Sequence, residues 1–220
     1  MTMQKQREAI VRYGRKMITS QLTTGAGGNL SILDRATGQV AISPSGIEYF
    51  DLQPQDVVIT DLDGQVLDGQ YKPSSELGFH LALYRQRPDV NAVLHTHSVY
   101  ATTMACLGWE IPAVHYLVGF SGHKVPLAPY ATFGTEELAR NVADSIGAYN
   151  AVLLANHGLV AVGSDLGRAF NTAEEIELVA RIYYQTKSVG NPVILPETEM
   201  ERVLEKFATY GQSPKEDSDV

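Results

Sequence analysis

The chain predicts an α/β fold of three layers, α/β/α, in which a central, mostly antiparallel sheet is covered by helices. Two observations carry this. Short strand-like runs in the first third are joined by hairpin turns, and amphipathic helical segments stand before, between and after the strands instead of in regular βαβ alternation. With 220 residues the chain can bury one substantial core but not two comfortable ones. Residues 1–210 are therefore read as a single domain, and the charged stretch 211–220 as a polar, disordered tail.

The elements follow in order. From Gln4 to about Gln21, Ile10, Val11, Met17, Ile18 and Leu22 recur at helical spacings, which gives an opening amphipathic helix. The glycine-rich run Gly25-Ala26-Gly27-Gly28-Asn29 ends it and leads into Leu30 to Leu33 as a strand. Strand-like runs at Gln39 to Ile42, Asp56 to Thr60 and, after an Asp63-Gly64 turn, Gln65 to Leu67 complete the hairpins. Pro73-Ser74-Ser75 signals a helix from Ser74 to Arg87 with Glu76 in its first turn. The apolar run Asn91 to Leu94 is a strand that leads into His95-Thr96-His97. A short helix around Cys106 follows, then an irregular region from Trp109 to Phe133 and a helix opened by Thr135-Glu136-Glu137. The runs Ala151 to Ala155 and Leu159 to Val162 form a hairpin about Asn156-His157-Gly158. A long helix carries the stripe Leu166, Phe170, Ala173, Ile176, Ala180 and Tyr183, and a last one covers about Glu197 to Phe207.

Composition narrows the function. A net charge of −8 argues against nucleic acid or an anionic membrane as partner. No run approaches the ~20 apolar residues of a membrane span, and the first residues lack the apolar core of a signal peptide, so a soluble cytoplasmic protein is expected. The single cysteine, Cys106, excludes an internal disulfide and is expected to pack in the core.

The chemistry lies in the histidines. His95 and His97, two apart on a strand, project from one face and can reach one metal ion, and the hairpin turn brings His157 to the rim of the same sheet. Three imidazoles with one position open is how catalytic zinc sites are built. Glu76 is a fourth ligand, a proton carrier, or both. His80, four residues on along the same helical face, reads as a buried imidazole bonded to a backbone carbonyl. His115 and His123 are ligands, substrate contacts or neither.

The glycine run is not a dinucleotide fingerprint, because Leu30 stands where the third glycine belongs and the loop follows a helix. It is not a Walker loop either. It can present backbone N–H groups to an anion, as can the turn Ser43-Pro44-Ser45-Gly46 and the helix start at Ser74-Ser75. Convergence of the three would make a phosphate cradle without lysine, adjoining Glu76. The combination points to a short phosphorylated molecule held at one end and activated by metal at the other.

Taken in order, the motifs resemble the class II aldolases of the L-fuculose-1-phosphate aldolase family, in the superfamily that also holds L-ribulose-5-phosphate 4-epimerase. The matching segments are Gly28-Asn29-Leu30-Ser31, Ser43 to Gly46, Pro73 to Glu76, His95-Thr96-His97, Pro112 to Tyr116, Ala128 to Gly134, Asn156 to Leu159 and Glu205 to Gly211. The resemblance implies Zn²⁺, with Mn²⁺ or Co²⁺ as alternatives, on His95, His97 and His157, with Glu76 near or on the metal as proton carrier. It implies phosphate held by Gly28, Asn29, Ser45, Gly46, Ser74 and Ser75. It also implies a homotetramer with active sites at subunit interfaces, where Tyr116, Phe207 and Tyr210 reach a neighbour's site to serve the aldehyde half, with Phe133 as a further positioning residue. The implied reaction is reversible cleavage of a ketose 1-phosphate, L-fuculose 1-phosphate or a related 5-deoxypentulose 1-phosphate, into dihydroxyacetone phosphate and a small aldehyde. One departure stands out: Ala26 occupies a position where such enzymes often carry threonine, which removes a hydroxyl contact to phosphate. Two rivals share the scaffold. A 4-epimerase would carry aspartate where Glu76 stands and an acid near Tyr116, and His115 to Val118 has none. A methylthioribulose-1-phosphate dehydratase also needs Zn²⁺ and a glutamate. A non-catalytic cytoskeletal relative would need neither.

Overall fold

A computed structural model describes residues 2–208. Eight strands form one sheet: β1 (Asn29–Asp34), β2 (Gln39–Ile42), β3 (Val58–Thr60), β4 (Val66–Asp68), β5 (Ala92–Thr96), β6 (Leu127–Ala128), β7 (Ala151–Leu154) and β8 (Gly158–Gly163). Their order is β4-β3-β2-β1-β5-β8-β7-β6, and every pairing is antiparallel except β6 with β7. Among the described residues the six α-helices are α1 (Gln4–Thr19), α2 (Leu77–Gln86), α3 (Val99–Cys106), α4 (Glu136–Ile146), α5 (Leu166–Val189) and α6 (Glu197–Ala208).

The period-two alternation of the strands sorts the core into two layers. Leu30, Ala92, Leu94, Leu153 and Ala161 point to one face, where they pack against Ile10 and Met17 of α1, Met104 of α3 and Phe170, Ile176 and Ala180 of α5. Val93, Val152, Val160 and Val162 point to the other, against Phe79 and Leu83 of α2 and Leu138, Val142 and Ile146 of α4. The three layers and mostly antiparallel sheet are as the sequence predicts. Among the described residues no helix is long and apolar enough to cross a membrane.

Three local expectations change. The helix signalled at Ser74 begins at Leu77, because the Ser74 hydroxyl accepts from the Glu76 N–H (3.3 Å) and the Leu77 N–H returns to the Ser74 carbonyl (3.1 Å), so Glu76 becomes the boundary residue. Cys106 is exposed, since it closes the last turn of α3 while Ala101, Met104 and Ala105 take the buried side. Within the irregular stretch, β6 and a 3₁₀ turn over Tyr116–Phe120 supply order that no periodicity signalled. The tail 211–220 and Tyr210 lie outside the described residues.

Candidate metal and phosphate site

The register of the sheet assembles the site. Asn29 of β1 pairs with His95 of β5, and His95 pairs with Val160 of β8, two residues from Gly158. The β7–β8 turn is tight: Asn156 adopts φ 54°, a left-handed conformation its short polar side chain tolerates, and the His157 N–H closes on the Leu154 carbonyl at 3.0 Å. Gly158 must lack a side chain, because a Cβ there would stand 2.3 Å from the Thr96 carbonyl oxygen and 3.2 Å from the His95 ring. Gly28, at φ 69°, is similarly forced, with its Cβ position 2.4 Å from the His95 carbonyl oxygen.

The three imidazoles meet as the sequence predicts. Their ring centroids are 4.8 Å apart for His95 with His97 and with His157, and 5.4 Å for His97 with His157. One ring nitrogen from each lies within 4.8 Å of the others. The Glu76 carboxylate joins them, with Oε2 at 3.3 Å from His95 Nε2 and Oε1 at 3.3 Å from His157 Nε2, while His95 Nε2 and His97 Nε2 are 3.0 Å apart. Ligands about 2.0–2.1 Å from a tetrahedral ion stand about 3.3 Å from one another. Two further observations fit a cation. His95 Nδ1–H donates to the Leu159 carbonyl (3.0 Å), which leaves Nε2 as a lone pair aimed at the cluster. Glu76 Oε1 is buried without a hydrogen-bond partner.

Electrostatics agree. Burial holds the His95 pKa well below its ordinary value, reinforced by His97 and His157, and burial likewise lowers His97 and His157. The rings are thus neutral and ready to ligate. Burial raises Glu76, opposed by His157 and by the Asn29 amide. A carboxyl with competing influences of this kind exchanges protons nearer neutrality than a free one.

The three anion-capable segments converge. Pro44 and Pro73 form a bridge, Ser45 N–H donates to the Lys72 carbonyl (3.0 Å) and Ser74 N–H to the Ser43 carbonyl (3.1 Å), which ties the Ser43–Gly46 turn to the serine segment. Leu30 N–H donates to Ser43 Oγ (3.3 Å), and the Tyr49 hydroxyl to the Gly28 carbonyl (2.9 Å), which ties in the glycine loop. Ser45, Gly46 and Ser75 are exposed at the rim. The Asn29 side chain is buried, with Nδ2 donating to Glu76 Oε2 (2.9 Å) and Oδ1 facing His80 Nε2 (2.5 Å). Ser74, also buried, is engaged in capping Glu76.

The expected aldehyde-side residues divide. Phe133 is exposed, and a Cβ on its neighbour Gly134 would stand 3.1 Å from the Ser75 carbonyl oxygen, so this turn lies against the serine segment of its own chain. Tyr116 and Phe207 are elsewhere. Their rings are 6.3 Å apart, and Phe207 packs on Phe120 and lines a cavity with Asn150, Gly163 and Ser164. Asn150 precedes β7 and Gly163 pairs with the first residue of β5, which is the opposite end of the sheet from the histidines. His115 caps the 3₁₀ turn by accepting from Leu117 N–H (3.3 Å).

Sequence reasoning missed the partners of Asn29. His80 is bonded to side chains and not to a backbone carbonyl: Nε2 to Asn29, and Nδ1 to the Ser31 hydroxyl (2.7 Å), which also meets the Tyr84 hydroxyl (2.6 Å). The signal was available as Glu76, His80 and Tyr84 at steps of four, one helical face, and Asn29 and Ser31 at a step of two, one strand face.

The comparisons with known proteins agree with this geometry. The class II aldolase and adducin N-terminal domain family matches residues 8–184, and the chain belongs to that family. It is 58% identical over 212 residues to a 5-deoxy-D-ribulose 1-phosphate aldolase of Bacillus thuringiensis serovar kurstaki, covering 96% of this chain and 100% of that one. It is 44% identical to a 5-methylthioribulose-1-phosphate/5-deoxyribulose-1-phosphate aldolase of Rhodospirillum rubrum, covering 94% and 93%. A solved L-fuculose 1-phosphate aldolase superposes with a TM-score of 0.93 at 45% identity, covering 94% of this chain and 98% of the other.

Proposed function

We propose that the protein is a metal-dependent ketose-1-phosphate aldolase that cleaves a 5-deoxypentulose 1-phosphate, 5-deoxy-D-ribulose 1-phosphate foremost, into dihydroxyacetone phosphate and a small aldehyde. The observation that carries the reading is the buried Glu76 carboxylate set 3.3 Å from two of three clustered imidazoles with one oxygen unpartnered. The substrate follows the 58% identical Bacillus relative, whose name specifies 5-deoxy-D-ribulose 1-phosphate. L-fuculose 1-phosphate shares the phosphate end and the terminal methyl and is the second substrate to test.

His95, His97 and His157 hold the ion, which we take as Zn²⁺ because three neutral imidazoles and a carboxylate suit it, with Mn²⁺ and Co²⁺ looser fits. When bound, the ion would supply Lewis acidity at the substrate ketone and so help C3 carry the charge left when C3–C4 breaks. Glu76 returns a proton to that carbon, a role suited to a carboxyl whose pKa burial raises. Gly28, Asn29, Ser45, Gly46, Ser74 and Ser75 form the phosphate site, with Ser45, Gly46 and Ser75 exposed at its rim. No lysine is required for a Schiff base. Tyr116 takes the proton of the C4 hydroxyl, and Phe133, Phe207 and Tyr210 enclose the aldehyde. Because Tyr116 and Phe207 stand at the far end of the sheet from their own histidines, they serve a neighbouring copy, and a cytoplasmic homotetramer with interfacial sites completes the reading.

The test is product analysis with purified, zinc-replete protein on 5-deoxy-D-ribulose 1-phosphate and L-fuculose 1-phosphate. Dihydroxyacetone phosphate should appear stoichiometrically with aldehyde, faster from the first. Loss of water from a methylthio-ketose phosphate without triose phosphate would establish the dehydratase, and inversion at C4 without cleavage the epimerase.

A further inference from the structure

The residues behind Glu76 form a continuous polar chain sealed in the core: Tyr84, Ser31, His80 and Asn29 are all buried, His80 and Ser31 completely. Their contacts fix its polarity. Asn29 Nδ2 donates to Glu76 Oε2, so Oδ1 faces His80; a carboxamide oxygen only accepts, so His80 Nε2 carries the hydrogen. His80 Nδ1 then accepts from the Ser31 hydroxyl, whose oxygen accepts from Tyr84. Every hydrogen in this order has an acceptor. The reverse order needs a proton on Glu76 Oε2 and leaves the buried Tyr84 hydrogen without an acceptor, which costs free energy. Burial pushes the His80 pKa down to about 3, so the ring is neutral at any working pH.

We infer that Tyr84, Ser31, His80 and Asn29 are positioning residues that hold the Asn29 NH₂ against Glu76 Oε2 and so fix the orientation of the carboxylate, leaving Oε1, the oxygen with no hydrogen-bond partner, for the reacting atoms. The two carboxylate oxygens are thereby given different tasks. Both face an imidazole at 3.3 Å, Oε2 His95 and Oε1 His157, but only Oε2 is anchored by a hydrogen bond, through Asn29 to the core of β1 and α2. This deepens the aldolase reading and rests on it for the kinetic consequence, but the polarity of the chain stands by itself.

Two measurements test it. First, ¹⁵N NMR of the histidines in the zinc-loaded protein should show His80 as the single neutral Nε2–H tautomer from pH 8 to pH 5; an Nδ1–H tautomer would overturn the proposal. Second, His80→Asn, too short to reach Asn29, is set beside His80→Gln, whose terminal NH₂ can take the place of Nε2–H. His80→Asn should lower kcat on the order of tenfold with KM within about twofold, as expected for a lost hydrogen bond that bears on a charged group. Solvent-deuterium exchange into dihydroxyacetone phosphate should fall in parallel, metal content should be unchanged, and His80→Gln should recover most of the loss. A folded, metal-replete His80→Asn with wild-type kcat and exchange would sink the inference. Should His80→Asn fail to fold, Tyr84→Phe serves: the Asn29 end of the chain should still hold His80 as the Nε2–H tautomer, and an Nδ1–H tautomer in this variant would count against the assigned polarity. A wild-type protein that neither releases dihydroxyacetone phosphate nor exchanges its protons would defeat the aldolase reading alone, with the His80 tautomer still deciding the polarity.

Discussion

The two ends of the central sheet are built on opposite principles. At the C-terminal end of β5, register and turn geometry bring His95, His97, His157 and Glu76 together, with glycines at 28 and 158 where no side chain fits. Most of this end is sealed: His95 is fully buried, and Glu76 nearly so. At the other end Tyr116, Phe120 and Phe207 cluster on a 3₁₀ turn and α6, and Tyr116 is 48% exposed, a large phenol left at the surface. The first end is complete in one chain and can bind and polarise. The second has aromatic rings and a hydroxyl but stands too far from its own histidines to use them. In the proposed reading, chemistry is concentrated in the rigid sheet and selectivity for the aldehyde half is left to a surface that a neighbouring copy brings to bear.

That contrast can be broken or sharpened by perturbing each end. The largest effect should come from the histidine end: chelation, or His95→Ala, should abolish cleavage while far-UV circular dichroism stays native, because the sheet that carries the triad is packed on both faces independently of it. Glu76→Gln should retain metal, measured by elemental analysis, and lose on the order of 10²–10⁴ in kcat. Tyr116→Phe, at the aromatic end, should cost on the order of 10² in kcat with metal content unchanged, and the lost activity should not depend on zinc concentration. Acid should single out the histidine end. The folded pKa of His80, about 3, lies below its ordinary 6.5, so the folded state binds fewer protons than the unfolded one and stability falls as pH drops below 6.5. By pH 5 His80 alone accounts for about 2 kcal/mol, and urea melts of His80→Gln should show a correspondingly shallower decline between pH 7 and pH 5. The smallest effect is at the rim: Ser75→Ala should raise KM with little change in kcat, by roughly 1–2 kcal/mol of lost hydrogen bonding to phosphate.

Much of the histidine end was legible in the chain because it is encoded locally. Alternation placed His95 and His97 on one face, and the Asn156-His157-Gly158 turn advertised itself by composition. The three layers followed from hairpins and amphipathic stripes for the same reason. What resisted reading depends on register between distant strands. The partners of the Asn29 side chain are one case: its pairing with His95 turns its amide inward to Glu76 and His80. Cys106 looked buried because its helix is apolar, and one helical step decided otherwise. The placement of Tyr116 and Phe207 away from their own histidines has no signature in spacing at all, since it depends on the packing of α6 against the 3₁₀ turn, Phe207 on Phe120.

The division of labour between the two ends is tested most directly by mixing two crippled variants. Glu76→Gln has a disabled pocket and an intact aromatic end; Tyr116→Phe has the reverse. Unfolded together and refolded, or co-expressed with distinct tags and purified as hybrids, they should regain activity, since about a quarter of randomly assembled sites would pair an intact pocket with an intact neighbouring tyrosine. Recovery of dihydroxyacetone phosphate release to that order in hybrids, and none on mixing without subunit exchange, is the predicted result. Hybrids no more active than the average of the two parents would mean that each chain supplies its own tyrosine, and would contradict the account.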